Sequence, residues 1–164
     1  MALSQLTPFT TWLASTPVST SIGEIHWITP GVQCVHILAI AVTMSAILMM
    51  DLRLLGAFGD IDGVQAFSKR YLPWVWWALL VLFLSGAVLI VGEPRRSLQN
   101  PTFLIKMTLV VVAAGLTTLT QRPLAADAGF WQGRKGLGRA LAVASLVVWV
   151  AIVICGRWIA YTQE

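Results

Sequence analysis

The chain is poor in charged residues. Only 11% of its 164 residues are charged and 57% are hydrophobic, whereas soluble domains carry about 25% charged residues. This shortage excludes a soluble globular domain and leaves no room for one beside the apolar segments. It predicts an all-α integral membrane protein that forms a single membrane domain over residues 1–164.

Motifs of several other protein classes are missing. The two cysteines, Cys34 and Cys155, lack metal-site spacing. No Gly-x-x-x-x-Gly-Lys loop is present, and the glycine-rich turn at 133–138 lacks the strand that precedes a phosphate-binding loop. The first residues lack the positive charge and continuous apolar core of a secretory signal peptide. Since the basic residues lie in loops beside apolar segments, we expect no nucleic-acid partner.

Four long apolar segments dominate what remains. They cover about 31–50, 72–91, 101–120 and 140–160, and each is close to the ~20 residues that cross a bilayer core. No period indicates duplicated halves. The pattern predicts a four-helix transmembrane bundle.

Residues 1–29 contain three Thr-Pro pairs, at 7–8, 16–17 and 29–30. Threonine caps helix N-termini, and proline suits the first helical position. We therefore expect two short amphipathic helices and then the start of the first transmembrane helix at the third pair. Aromatic residues such as Trp12 and Trp27 place the short helices at the outer membrane interface.

Lysine and arginine are distributed unevenly between the two sides of the membrane. Seven lie in the loops after the first and third spans, against three on the other side, and the richer side is expected to be cytoplasmic. This predicts a bacterial inner-membrane protein with both termini outside. We expect Asp51 and Arg53 to anchor the inner end of the first span at the lipid headgroups. The seven are Arg53, Lys69, Arg70, Arg122, Arg134, Lys135 and Arg139; the three are Arg95, Arg96 and Arg157.

Two ionisable residues interrupt the apolar spans, His36 in the first and Lys106 in the third. Such groups are costly in a membrane and usually face the bundle interior. Both helices run inward, and each residue lies about 8 Å from its helix start, so both lie near the outer leaflet. The faces around them carry small residues and could line a cavity. These faces comprise Gln33, Ala39, Ile40, Thr43, Ala46 and Met50; Val110, Ala113 and Thr117; and Ser85 with Gly86.

The chemistry of His36 and Lys106 has several readings. His36 suits an axial ligand of haem iron, a hydrogen bond between helices, or proton transfer. Lys106 suits snorkelling to the headgroups, pairing with a haem propionate or another anion, or service as a second iron ligand once deprotonated.

Two further residues, His26 and Arg157, belong to the candidate site. His26 is expected at the interface, or as a cap over the haem if the chain folds back at 29–30. Arg157, like Arg95 and Arg96, is expected to anchor the interface or to bind an anionic group. The candidate cofactor-binding residues are therefore His36, Lys106, His26 and Arg157, of which His36 and His26 are the candidate metal ligands.

Cysteine and methionine leave two questions open. Cys34 and Cys155 both fall near outer helix ends, where we favour two buried free thiols over a disulfide. Met44, Met49 and Met50 contain thioethers, which suit Cu(I). They lie on more than one face of the helix, so we favour core packing.

Several segments resemble a group of small, uncharacterised bacterial inner-membrane proteins. They are the stretch from His36 to the Asp-Leu-Arg-Leu-Leu-Gly run at 51–56, the Arg-Tyr-Leu-Pro-Trp run at 70–74 and the Asn-Pro-Thr-Phe-Leu-Ile-Lys run at 100–106. More distantly, the early histidine and lysine are similar to copper-resistance D-type proteins and HemJ-type protoporphyrinogen oxidases. That resemblance implies His36 as a haem ligand and Lys106 as its essential partner. The loops and the N-terminal region do not match HemJ-type proteins, so protoporphyrinogen oxidation is not carried over.

The leading functional prediction is a haem b protein that passes electrons between membrane quinol and a periplasmic carrier. His36 is one axial ligand, and His26, Lys106, a neighbouring subunit or nothing fills the other position. The second prediction is an accessory subunit of a larger membrane complex or a homo-oligomer, with Trp74, Trp76, Trp77 and Trp131 as contact surface. The third is copper handling, which the lack of a methionine or cysteine ladder disfavours.

Overall fold

The computed structural model describes residues 7–57, 61–127 and 130–159, without the side chains of 61–68, 124–126 and 132. Within these ranges the chain forms seven α-helices and a short 3-10 turn at Gln132–Arg134, with no strand. The helices are α1 (Thr7–Ala14), α2 (Pro17–Glu24), α3 (Ile28–Leu55), α4 (Ile61–Gly92), α5 (Pro94–Leu98), α6 (Pro101–Ala126) and α7 (Lys135–Trp158).

The helices α3, α4, α6 and α7 are long and apolar enough to cross a membrane. Their outward faces are covered with exposed Val, Leu, Ile, Phe and Trp side chains, as a lipid-facing surface requires. The predicted all-α four-helix membrane bundle is confirmed. The helices extend beyond the predicted spans: α3 continues to Leu55, and α4 already begins at Ile61.

Local sequence explains where the helices start and stop. The side chains of Thr16 and Asn100 cap α2 and α6, each followed by a proline at the first helical position, as predicted. The third start differs, because α3 begins at Ile28 and takes Thr29-Pro30 into its first turn. First-turn N–H groups have no intrahelical partner, so proline fits there without breaking the helix. Gly56, with φ of 87°, ends α3 in the left-handed conformation.

The short helices α1 and α2 pack against the bundle rather than only lying on a membrane surface. The Ser19 hydroxyl donates to the Val91 carbonyl of α4 at 2.7 Å, and the Gln99 amide donates to the Thr10 hydroxyl at 2.8 Å. Ser19 and Thr10 are buried, while the side chains of Phe9, Trp12, Val18 and Trp27 are exposed. The two helices therefore turn small polar groups towards the protein and aromatic groups outwards, which suits a cap that also contacts lipid.

The four long helices form two antiparallel pairs. α3 packs mainly against α4, and α6 mainly against α7, while α3–α7 and α4–α6 contacts join the pairs. We call the end that carries α1, α2 and α5 the α1–α2 end, and the opposite end the Trp131 end. The centre is filled by an apolar cluster of Ala46, Ile47, Met50, Val75, Ala113, Trp149 and Ile152.

The Trp131 end is closed by a second, smaller cluster. Trp131 is 4% exposed and packs against Leu54, Phe130 and Leu141, and its indole N–H donates to the Thr120 carbonyl at 3.2 Å. A Cβ at Gly138 would lie only 3.1 Å from the Trp131 ring. The prediction of Trp131 as contact surface is wrong, because the indole plugs the bundle; Trp74, Trp76 and Trp77 are exposed.

Candidate functional site around His36 and Lys106

His36 lies on α3 and bonds to α4. Its Nδ1 is 2.7 Å from the Ser85 hydroxyl oxygen, and that oxygen is 2.6 Å from the Val81 carbonyl oxygen one turn earlier on α4. The imidazole is partly buried and Ser85 is buried. The expected hydrogen bond between helices is therefore present.

This chain of bonds assigns the proton on the His36 ring. A serine hydroxyl has one proton to donate, and here it points to a backbone carbonyl, as serine hydroxyls in helices often do. The Ser85 oxygen must then accept from an Nδ1–H of His36. In the neutral imidazole this leaves the Nε2 lone pair free to bind a metal ion or accept a proton.

Small residues allow the close approach of α3 and α4 at this level. A Cβ at Gly86 would lie 3.5 Å from His36 Cε1, so this glycine lets the imidazole lie against the α4 backbone. The predicted inward faces are confirmed for most of their residues: Ala39, Thr43, Ala46, Met50, Ser85, Ala113 and Thr117 are buried. Gln33 is exposed, so its predicted place on the inward face is wrong, and Ile40, Gly86 and Val110 are only partly buried.

Lys106 belongs to the other helix pair. A Cβ at Gly156 of α7 would lie 3.6 Å from its Nζ, so the ammonium lies against the last turn of α7. A cation is favourable there, because backbone carbonyls at a helix C-terminus carry partial negative charge. His36 and Lys106 belong to different helix pairs, and they lie near enough for the charge of one to influence the other.

The remaining candidates lie further away or at the surface. His26 is exposed in the turn before α3, and His36 follows the helix start by eight residues, about 12 Å along the axis. Arg157 is exposed in the last turn of α7. Arg96 pairs with Glu93 at 2.7 Å, and both line an open cleft with Arg95 beside α2.

The sulfur residues follow the favoured predictions only in part, because Met49 and Cys34 are exposed rather than buried. Cys34 and Cys155 are free thiols, with Cys34 exposed. Met50 lies in the central apolar cluster, and Met44 packs against it. Within the described residues, no group of three or more His, Cys, Asp or Glu side chains has the arrangement of a metal site.

One polar group of the bundle was missed by sequence reasoning. Asp51 is 1% exposed, so the prediction that it anchors α3 at the headgroups is wrong. Its carboxyl group faces the Ser145 hydroxyl of α7. The clue in the sequence is the continuation of α3: Leu52, Leu54 and Leu55 keep an apolar pattern running past Asp51, which puts the aspartate inside the helix rather than at its end.

The surroundings of the His36 ring resemble those of an iron-binding histidine in one respect, the hydrogen bond at Nδ1. Iron-binding histidines generally donate their other ring N–H to a hydrogen-bond acceptor, and the Ser85 oxygen supplies that acceptor here. The Lys106 ammonium supplies a positive charge for an anionic group nearby. His26 is not placed beside His36 by the fold.

The chain belongs to the family described as "Family of unknown function (DUF6644)", whose model matches residues 12–162. The expected membership of an uncharacterised family is confirmed at that level. The distant similarity to copper-resistance D-type and HemJ-type proteins stays a prediction. No curated protein and no solved structure matches the chain.

Proposed function

We propose that the protein is a haem b-binding membrane protein in electron transfer, with His36 Nε2 as one axial ligand. The observation that carries the proposal is the 2.7 Å contact between His36 Nδ1 and the Ser85 hydroxyl, which orients the ring and leaves Nε2 as the atom that can bind iron. When bound, the haem iron would supply a one-electron redox centre. The exchange partners we propose are membrane quinol and a carrier in the periplasm.

The chain's own residues have distinct roles in this proposal. Ser85 orients the imidazole through Nδ1, and Gly86 gives the ring room against α4. Lys106, held against the end of α7, offers a positive charge to an anionic substituent such as a propionate. The second axial position is left to a neighbouring subunit or to nothing.

The direct test is the absorption spectrum of protein purified in mild detergent from haem-replete cells. We expect a Soret band in wild type and its loss in His36→Ala, with partial recovery when imidazole is added to the variant. His26→Ala is the matched control, because His26 is the other histidine of the chain and is exposed. It should keep the band unchanged.

A colourless wild type that is monodisperse and helical would contradict haem binding. If such a protein co-purified with a stoichiometric partner, the accessory-subunit function would replace the present proposal. The exposed Trp74, Trp76 and Trp77 side chains would then be the first surface to mutate.

The membrane orientation is part of the same proposal. Seven basic residues at the Trp131 end, against three at the other, support a cytoplasmic Trp131 end in a bacterial inner membrane and both termini outside. Fused to the C-terminus, a reporter enzyme active only in the periplasm should be active, and a fluorescent protein that matures only in the cytoplasm should be dark. The reverse pattern would invert the orientation.

A further inference from the structure

A second polar layer crosses the bundle between the central apolar cluster and the Trp131 end. It consists of Asp51 on α3, Thr117 on α6 and Ser145 on α7, which are 1%, 2% and 1% exposed. The central cluster fixes its level, because Met50, Ala113 and Trp149 all belong to that cluster. Asp51 follows Met50, and Thr117 and Ser145 each lie one helical turn beyond Ala113 and Trp149 towards the Trp131 end.

The layer is closed on both sides by apolar residues. The central cluster lies above it. Below it, Trp131 packs against Leu54, one turn after Asp51, and against Leu141, one turn before Ser145. The layer is therefore a polar compartment inside the protein.

The polar atoms of this compartment lack partners. Asp51 Oδ2, Thr117 Oγ1, Ser145 Oγ and the neighbouring Trp149 Nε1 are buried and make no hydrogen bond. This is unusual, since more than about 90% of buried polar groups in native proteins are hydrogen-bonded to protein or water. Four such atoms near one level of a bundle indicate that something else satisfies them.

Asp51 also lacks a counter-charge: among the side chains that the structure describes, no Lys, Arg or His nitrogen lies within 4 Å of its carboxylate oxygens. Arg53, two positions on, is displaced around the helix by about 200°. None of the other charged groups described at this end lies within 4 Å of the Asp51 carboxylate. They are Lys69 and Arg70 on α4, Arg122 on α6, Asp127 after it, and Arg134, Lys135 and Arg139 at the start of α7.

An ionised carboxylate without a partner is too costly to bury, at several kcal/mol or more. A single positive charge beside the carboxylate offsets the cost of burying it. The hydroxyls of Thr117 and Ser145, together with bound water, can supply the other oxygen atoms around that cation. We propose that Asp51, Thr117 and Ser145 form a hydrated site for one monovalent cation, either a proton or Na⁺. This proposal does not depend on haem binding at His36.

The number and type of ligand atoms in this layer disfavour other ions. One carboxylate balances one positive charge, whereas Ca²⁺ and Mg²⁺ sites use several oxygen ligands with more negative charge. The layer holds oxygen donors and an indole N–H, with no thiolate or imidazole, so soft transition metals are disfavoured. A proton and Na⁺ remain, because both are monovalent and both bind to oxygen atoms.

The experiment is infrared spectroscopy of full-length protein labelled with ¹³C-aspartate, in bilayers at neutral pH. In Na⁺-free choline buffer, Asp51 should give the carbonyl stretch of a protonated carboxylic acid, shifted by the label and lost in Asp51→Asn. If the stretch persists when NaCl is added, the cation is a proton. If NaCl converts it to a carboxylate band, the cation is Na⁺.

The labelled wild type keeps the test valid even if Asp51→Asn fails to fold. Ser145→Ala should shift the frequency of the stretch, because a hydroxyl that faces the carboxyl group is removed and the water around that group must rearrange. Glu24→Gln, at an exposed carboxyl on α2, is the matched control and should leave the spectrum unchanged. An ionised aspartate spectrum in Na⁺-free buffer, with no protonated stretch, would overturn the proposal.

Discussion

The bundle contains two polar layers that differ in how their hydrogen bonds are completed. At the α1–α2 end, His36, Ser85 and the Val81 carbonyl form a continuous chain of bonds. At the Trp131 end, Asp51, Thr117 and Ser145 hold buried atoms without partners. Both layers lie within apolar helices, where unpaired polar groups are expensive.

The difference indicates two ways of using polarity inside a membrane bundle. A layer whose bonds are completed by protein fixes one side chain in one orientation, which suits a ligand atom that must point in a set direction. A layer with free donors and acceptors needs a mobile partner such as water or an ion. The two layers should therefore respond differently to mutation.

The largest expected effect is on haem binding, which should depend on His36 and not on Asp51. His36→Ala should abolish the Soret band, while Asp51→Asn should retain it, because the central apolar cluster lies between the two layers. The measurement is the haem-to-protein absorbance ratio of both purified variants. A loss of pigment in Asp51→Asn, in protein that remains folded, would show that the two layers act as one site.

Next in size is the removal of the plug below the Asp51 layer. Trp131→Ala should lower the free energy of unfolding by about 3–5 kcal/mol, the usual cost of a large cavity, and open the layer to solvent. Steric-trapping or detergent titration in bicelles measures the change. Trp77→Ala is the control, because Trp77 is 67% exposed and lies on the outer face; it should change stability by about 0.5 kcal/mol or less. Equal losses in both variants would contradict a plugged compartment.

The two layers also differ in how well they could be predicted from the sequence. His36 and Lys106 stand inside long apolar runs, so their membrane cost was visible, and helices of the same direction put them at one depth. The residues that His36 and Lys106 contact were harder to predict from the sequence. Ser85 was identified only as a small residue on the right face, and the contact of Lys106 with Gly156 depends on how α6 and α7 cross.

Asp51 was misplaced for a physical reason. It follows the two methionines 49 and 50 and precedes Arg53, a pattern that equally describes a helix end at the headgroups. The five extra helical residues up to Leu55 and the Trp131 cluster place it inside the protein. Those contacts join residues about 80 positions apart, and no local pattern predicts them. The burial of Trp131 was unpredictable for the same reason.

A smaller effect compares the two serines directly. Ser85→Ala leaves the Nδ1–H of His36 without an acceptor and should cost about 1–2 kcal/mol of unfolding free energy. Ser145→Ala removes a hydroxyl that has no protein partner, and water can rearrange around the carboxyl, so the cost should be below about 1 kcal/mol. The measurement is the same titration for both variants. If Ser145→Ala were the more damaging, the Asp51 layer would be held by protein bonds rather than by water.

The smallest effect concerns the cap at the α1–α2 end. Ser19→Ala removes the hydroxyl that donates to Val91, and Gln99→Ala removes the amide that donates to Thr10. Each loss should weaken docking by about 0.5–1.5 kcal/mol and raise hydrogen–deuterium exchange within α1 and α2. Thr20→Ala on the exposed side of α2 is the control, because its hydroxyl bonds only within its own helix and cap. Since α1 and α2 lie beyond the His36 layer, exchange around Asp51 should stay unchanged in all three variants. A change there would mean that the cap and the Asp51 layer are coupled through the length of the bundle, and that the two polar layers are not independent.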